Sequence, residues 1–560
     1  MVEVVELREV LRELGIAASR RVLESILSEV DTDGSETLNF PEFERMMELL
    51  RLLEGFTRQE HGELLQLFRR YDREGSGHIG TDGVHGALQW LGYAMSHEEV
   101  DEVVTEVDVD LTRSLDSREF LICMRKAREH EVRALGSMLE EHDADGSGEL
   151  SIGELRHLIE ALGYTPDGEA VDEIAREIKQ GESDPAEWKF DAEDLMEFLR
   201  LYRTREGFTL ARVKEVASAF ERYDTGGVGE ISTLDVGKVL RWFGYTVPFE
   251  VQQYIIKQVD IDGSGKLNLP EVRKLLRMCA EEEVADTKKV FRMEDTRDTG
   301  TITKHQAHNA MRKLRFLGSG TKDPRVLEEA GRSISDFLRT CIRLSRQARE
   351  AYRQNGGYTD EELAKLQKLF SRYDADNSGT VSFGELGAFI RGMFQDMSEN
   401  LRPRLDKLMR EVQQGGSRSL DFQDFIRLFR QFHNLQIQEK LEKEGLAIKE
   451  TDFSDQEVQD FRELFLQNIR SSTGLEHSQE LSLSDLKRLV GNICPLGDKN
   501  MAEFTKLFRS VTAWQCGVEG HLDQVDFPEF LWFMRKLLDV DFAGINERTK
   551  EMATSASRCS

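Results

Sequence analysis

A chain of 560 residues is too long for one hydrophobic core and should divide into several domains. Its 39% hydrophobic and 32% charged residues exclude global disorder, and no apolar run approaches the roughly 20 residues that span a bilayer. A formal charge of −29 excludes a nucleic-acid binder, which needs clustered Lys and Arg, and suits a protein that takes up cations. The six cysteines (Cys123, Cys279, Cys341, Cys494, Cys516 and Cys559) have no paired spacing, so neither a disulfide framework nor a zinc site is expected. The expected compartment is the cytoplasm, with the nucleus or a cytoskeletal structure left open.

One twelve-residue pattern organises the chain. Oxygen-bearing side chains stand at positions 1, 3, 5, 9 and 12, position 7 offers its backbone carbonyl, position 8 is apolar, and both flanks have the apolar spacing of helices. The opening stretch "VEVVELREVLRELGI" reads as the end of such a loop, with Val2 at position 8 and Glu6 at position 12, followed by its exiting helix. The natural protein is therefore expected to extend upstream of Met1. The first complete set is "DTDGSETLNFPE", with Asp31, Asp33, Ser35, Thr37, Asn39 and Glu42. The next, "DVDLTRSLDSRE", supplies Asp108, Asp110, Thr112, Ser114, Asp116 and Glu119. Then come "DADGSGELSIGE" with Asp143, Asp145, Ser147, Glu149, Ser151 and Glu154, and "DIDGSGKLNLPE" with Asp260, Asp262, Ser264, Lys266, Asn268 and Glu271. The last is "DADNSGTVSFGE", with Asp374, Asp376, Ser378, Thr380, Ser382 and Glu385.

Between these lie segments that keep the helical flanks and lose ligands. They begin at Asp72, Ser183, Asp224 and Asp295, and a fifth ends at Asp424; position 12 is Gly83, Asp194, Asp235, Gln306 and Asp424 in turn, and these loops are expected to stay empty. In the last lobe the stretches between helices are longer than an ordinary loop, with Ile469 and Thr512 where an acid would begin it. The offsets Asp72 to Asp224 and Asp108 to Asp260 are both 152 residues, which marks a duplicated block.

These loops resemble the EF-hand family, and its calmodulin type in particular. The resemblance implies an all-α fold, a tandem array of paired EF-hands with short two-stranded β contacts between paired loops, and Ca2+ at the five complete sets. A hard cation with six to eight oxygen ligands fits these donors, whereas a softer metal would want Cys or His. The expected lobes are 1–55, 56–128, 129–204, 205–281, 282–350, 355–434 and 452–542, with a tail at 543–560. Breaks are expected at "LRPRL", "RQNGGYTD" and the charged stretch from Asn434 to Asp455, whereas the segment from Glu119 to Asp143 reads as one helix joining two lobes.

Position 6 separates the sites. Gly148, Gly265 and Gly379 take a positive φ at little cost, while Glu36 and Arg113 stand there in the other two loops at a cost of about 1–2 kcal/mol each. Three firmer and two weaker sites follow, with Asp116 a partial offset in the Asp108 loop. The expected function is calcium binding by a calcium-responsive sensor and adaptor that docks unidentified target proteins. Filling a loop would draw the position-12 Glu inward and turn the exiting helix, and Mg2+ would compete weakly. The alternatives are a calcium buffer and an ion-stabilised scaffold. With one complete loop in almost every lobe, opening should be smaller than in the calmodulin type. No phosphate loop, kinase signature or nucleophile elbow occurs, so an enzyme is not expected. The basic run 339–354 reads either as a solvated linker face or as an internal target helix.

Overall fold

The computed structural model describes residues 2–3, 20–31, 37–72, 75–93, 95–162, 164, 168–179, 184, 187–245, 247–297, 299–314, 333–374, 378–382, 403–404, 407, 419–472, 480–492, 494, 497–512 and 524–545. Among them are twenty-one α-helices and six two-stranded antiparallel sheets. The chain falls into two compact units, Met1–Ser218 with Asp260–Ser264, and Ala219–Val259 with Gly265–Ser560.

The first unit runs β1 (Val2–Glu3), α1 (Arg20–Val30), β2 (Thr37–Leu38), α2 (Phe40–Leu52), α3 (Arg58–Tyr71), β3 (His78–Gly80), α4 (Thr81–Leu91), α5 (His97–Val107), β4 (Ser114–Asp116) and α6 (Ser117–His142). It continues with β5 (Leu150–Ser151), α7 (Ile152–Ala161), α8 (Gly168–Ile178), β6 (Lys189–Phe190) and α9 (Ala192–Thr204). The helix α10 (Leu210–Tyr223) spans the division between the units. α6 serves two cores: Phe120, Leu121, Cys123, Met124 and Ala127 pack in one, Leu135 and Leu139 in the next. Its 26 residues place two loop pairs at opposite ends of one rigid rod.

The second unit runs β7 (Glu230–Ser232), α11 (Thr233–Trp242), α12 (Phe249–Val259), β8 (Lys266–Asn268), α13 (Leu269–Glu294), α14 (Lys304–Lys313), α15 (Ile334–Gln354) and α16 (Asp360–Tyr373). It ends with β9 (Val381–Ser382), β10 (Ser419–Leu420), α17 (Phe422–Thr451), α18 (Asp455–Ser472), β11 (Leu481–Ser482), α19 (Leu483–Gly491), α20 (Asp498–Thr512), β12 (Gln524–Val525) and α21 (Phe527–Asp539). The stretch 435–451, read from sequence as a break, is the second half of the 30-residue α17. It is helical because one face is buried: Glu444, Ala447 and Thr451, spaced three and four apart, turn inward, and Ala447 joins the core of the last lobe. The basic run 339–354 is likewise packed as part of α15, where Arg349 pairs with Glu283 at 2.7 Å and Ser345 donates to the same carboxylate at 3.0 Å.

Every sheet has the same register. Ile79 faces Leu115, Leu150 faces Phe190, Ile231 faces Leu267, Val381 faces Leu420, Leu481 faces Val525 and Val2 faces Leu38. Each is the apolar residue at position 8 of its loop, or its equivalent in the last lobe, and those with described side chains are all buried. Pairing satisfies the main-chain groups of two loops while their position-8 side chains seal the core beneath. Among the described residues, no helix is long and apolar enough to cross a membrane. Cys123, Cys279, Cys341 and Cys494 are buried free thiols; Cys516 and Cys559 lie outside the described residues.

Candidate metal centres

The loop that begins at Asp143 is built by its own side chains. Asp143 accepts the N–H groups of Ser147 (3.1 Å) and Gly148 (2.7 Å), and Asp145 accepts that of Ser147 at 3.0 Å. The Ser147 hydroxyl donates to the carbonyl of Glu149 at 2.8 Å. Ser151, at position 9, is the N-cap of α7, and Glu154, at position 12, is its third residue; together they form a capping box. Glu154 Oε2 accepts the Ser151 N–H at 2.8 Å while Oε1 accepts that of Ala144, position 2, at 3.1 Å. The Ser151 N–H and hydroxyl hold the Glu154 carboxyl below its usual range, and Asp145 is held low by Ser147 first and Lys189 second.

The Asp108 loop repeats this plan. Asp108 accepts from Thr112 (3.1 Å) and Arg113 (2.8 Å), Asp110 accepts from Thr112 at 3.2 Å, and the Thr112 hydroxyl donates to the Ser114 carbonyl at 3.0 Å. Glu119 accepts from Val109 (3.1 Å) and Asp116 (3.0 Å). Asp116 does not join the other acids: its Oδ1 caps α6, accepting from Arg118 and Glu119 at 2.8 Å. Among the described residues, three carboxylates converge to within 4.8 Å in two places, Asp108 with Asp110 and Glu119, and Asp143 with Asp145 and Glu154. Neither cluster contains Cys or His. An all-oxygen, multiply charged set around a tight loop fits Ca2+ and not a soft metal.

The Asp260 loop is not one of these clusters. Asp260 and Asp262 both accept from the Ser264 N–H at 3.0 Å, but the second oxygen of Asp262 is taken by Arg70 at 3.3 Å within the first unit. Asn268 and Glu271 form the capping box of α13, and Lys266 of β8 lies 3.7 Å from Glu230 of β7. In the Asp374 loop Asp374 accepts from Ser378 (2.9 Å) and Gly379 (3.0 Å), the Ser378 hydroxyl donates to the Thr380 carbonyl, and Ser382 ends β9. In the first loop Asp31 follows α1, Thr37 lies in β2, and Asn39 and Glu42 cap α2. Asp33, Ser35, Asp376 and Glu385 lie outside the described residues.

Loops with incomplete sets keep the same frame. Asp72, Asp224 and Asp295 each accept the N–H groups of positions 5 and 6, at 2.7–3.1 Å. In these three loops the Asp at position 1 holds the turn itself, and it survives where other ligands are lost. At position 12 the chain provides its own donor: Lys179 lies 2.6 Å from Asp194, Lys238 lies 2.7 Å from Asp235, and Gln306 Nε2 donates to the carbonyl of Glu294 at 2.5 Å.

The sequence reading overlooked position 4. In the Asp143 loop Gly146 (φ +69°) and Gly148 (φ +79°) are left-handed, and in the Asp108 loop Leu111 (φ +59°) and Arg113 (φ +58°) hold the same two conformations. The available signal was the first glycine of "DADGSGEL", replaced by Leu in "DVDLTRSL".

A family model described as an EF-hand domain pair matches residues 213–277 and 363–430. Troponin C isoform 2B of Homarus americanus is 36% identical over 115 residues, 20% of this chain and 76% of that protein. Troponin C isoform 2 of Caenorhabditis elegans is 34% identical over 116 residues, covering 21% and 72%. The chain belongs to the EF-hand calcium-binding family. Calcium is the cation of this EF-hand protein, and calcium binding is its function at the level the family defines. The two matched segments take in the EF-hand loops beginning at Asp224, Asp260 and Asp374.

Proposed function

We propose that calcium is held by the five loops beginning at Asp31, Asp108, Asp143, Asp260 and Asp374, and that the protein is a calcium-responsive adaptor that docks other proteins. The observation that carries this reading is the double duty of the position-12 carboxylate. Glu119 and Glu154 each stand at the third residue of an exiting helix and also within 4.8 Å of two loop aspartates. One oxygen caps the helix and the other holds the position-2 N–H, so any rearrangement of that carboxylate changes helix end and loop together. Bound calcium would supply the positive charge that three neighbouring carboxylates call for. α6 begins at one such helix end and finishes at the next loop, which gives the two a common lever.

A second reading, an ion-stiffened scaffold, is favoured by the lysines that pair with the position-12 aspartates of two incomplete loops, because such lobes need no metal to stay closed. A calcium titration in magnesium-containing buffer separates the two, read by metal stoichiometry and by a hydrophobic fluorescent probe. About five ions with a rise in probe fluorescence support the adaptor. Ions bound with no new apolar surface favour the scaffold or a buffer, and fewer than three would remove even the firmer sites.

A further inference from the structure

The Asp143 loop faces a cation that belongs to the protein. Lys189 occupies position 7 of the opposing, ligand-poor loop, where the ladder sets it against Ser151. Its Nζ lies 3.0 Å from Asp145 Oδ2 and 3.3 Å from Ser147 Oγ, the position-3 and position-5 donors. Asp145 is one of the three carboxylates that converge there. The reach of the ammonium is preset, because the next residue, Phe190, is fully buried and locks the two-residue strand to the core. In the Asp260 pair the residue in register with Lys189 is Glu230, an acid, so the ladder itself does not demand a basic side chain at this place.

An ammonium within hydrogen-bond distance of Asp145 occupies an oxygen that a metal ligand set needs, and its charge repels a dication. We propose that Lys189 is an internal competitor that weakens calcium binding at residues 143–154 and steadies this lobe while it is ion-free. The inference rests on the reading of this loop as a calcium site. It assigns a tuning role to a residue of a loop that lacks the ligands to bind calcium itself.

The test uses the full chain and calcium alone, followed by calorimetry, with Glu154→Gln, Lys189→Gln, Lys189→Arg and the double variant Glu154→Gln/Lys189→Gln. Glu154→Gln is expected to remove one ion from the stoichiometry. Lys189→Gln should tighten that one site about three- to tenfold, Lys189→Arg should stay within about twofold of wild type, and the double variant should show no tightened site. In metal-free buffer Lys189→Gln should lower the thermal midpoint while Lys189→Arg preserves it. An unchanged affinity in Lys189→Gln, with one ion still lost in Glu154→Gln, overturns the competitor and leaves the site standing. Full stoichiometry in Glu154→Gln overturns the site, and the competitor with it.

Discussion

Lys443 holds its ammonium 2.9 Å from the carboxylate of Glu529, and 2.6 Å from that of Asp526, at the start of α21. By the register of β11 and β12, Glu529 is the position-12 residue of a loop with no acid at its beginning. A lysine from α17 thus stands beside the carboxylate at the position where Glu119 and Glu154 join two loop aspartates. Burial raises the Glu529 carboxyl, Asp526 raises it further, and Lys443 opposes both. Lys443→Met removes the counter-charge at nearly constant volume and should cost the last lobe about 2–3 kcal/mol at neutral pH. Without Lys443 the raised Glu529 should hold its proton more tightly in the folded lobe. The deficit should therefore shrink on acidification, and urea unfolding at two pH values checks both statements. A loss below about 0.5 kcal/mol would mean that solvent already serves the pair.

The Asp108 loop carries strain that glycine would relieve. Leu111 and Arg113 have φ of +59° and +58° and exposed side chains, so their Cβ atoms pay no return in packing. The main-chain bond from Arg113 to Asp108 is independent of the side chain and survives substitution. Left-handed backbone costs roughly 1–2 kcal/mol for such residues, and the extra freedom of glycine in the unfolded chain offsets about half. Arg113→Gly is expected to tighten calcium at this loop about fivefold, and Leu111→Gly similarly, on direct titration. No tightening in either would show that the loop carries the same strain with and without the ion.

Arg462 is buried between Glu250 of α12 and Glu444 of α17, with its guanidinium 3.9 Å from the centre of the Phe527 ring. Burial pushes Glu250 from 4.5 up to about 7; Arg462 pulls the other way, Glu444 and Asp526 reinforce the rise, and Lys440 opposes it. A carboxyl whose folded value exceeds its unfolded one stabilises fully below about 4.5, and that contribution is lost as pH rises through about 7. Relative to Glu250→Gln, the wild-type thermal midpoint should therefore fall between pH 5 and pH 8. Parallel profiles for the two proteins would refute the shift.

The part of this architecture that could be read from the sequence is the part set by local geometry. Position 8 had to be apolar because it caps a core, and Leu115, Leu150 and Leu267 are fully buried there. An Asp at position 1 serves the turn even where the ligand set is incomplete, as Asp72 and Asp295 show through their bonds to it. Lys189 with Asp145, Arg70 with Asp262 and Arg462 with Glu250 lie 44, 192 and 212 residues apart, and no local spacing announces them. The second half of α17 was hidden for a different reason: its apolar positions are sparse, and two of its three buried residues, Glu444 and Thr451, are polar.

The capping box supplies the control that separates metal binding from folding. In the incomplete Asp295 loop Gln306 takes position 12, and its Oε1 accepts the Thr303 N–H at 2.9 Å much as Glu154 Oε2 accepts that of Ser151 at 2.8 Å. An amide oxygen therefore suffices for the helix cap, whereas a bidentate grip on calcium needs the carboxylate. Glu119→Gln should change metal-free stability by less than about 0.5 kcal/mol. Calcium should then no longer raise the thermal midpoint of the lobe that contains the Asp108 loop, and a chelator should have nothing further to lower there. Glu119→Ala removes cap and ligand together and should lose about 1 kcal/mol even without metal. Differential calorimetry of both variants, with calcium and with chelator, reads the two roles apart; an equal metal-free loss in Gln and Ala would show that the cap, too, depends on the charge.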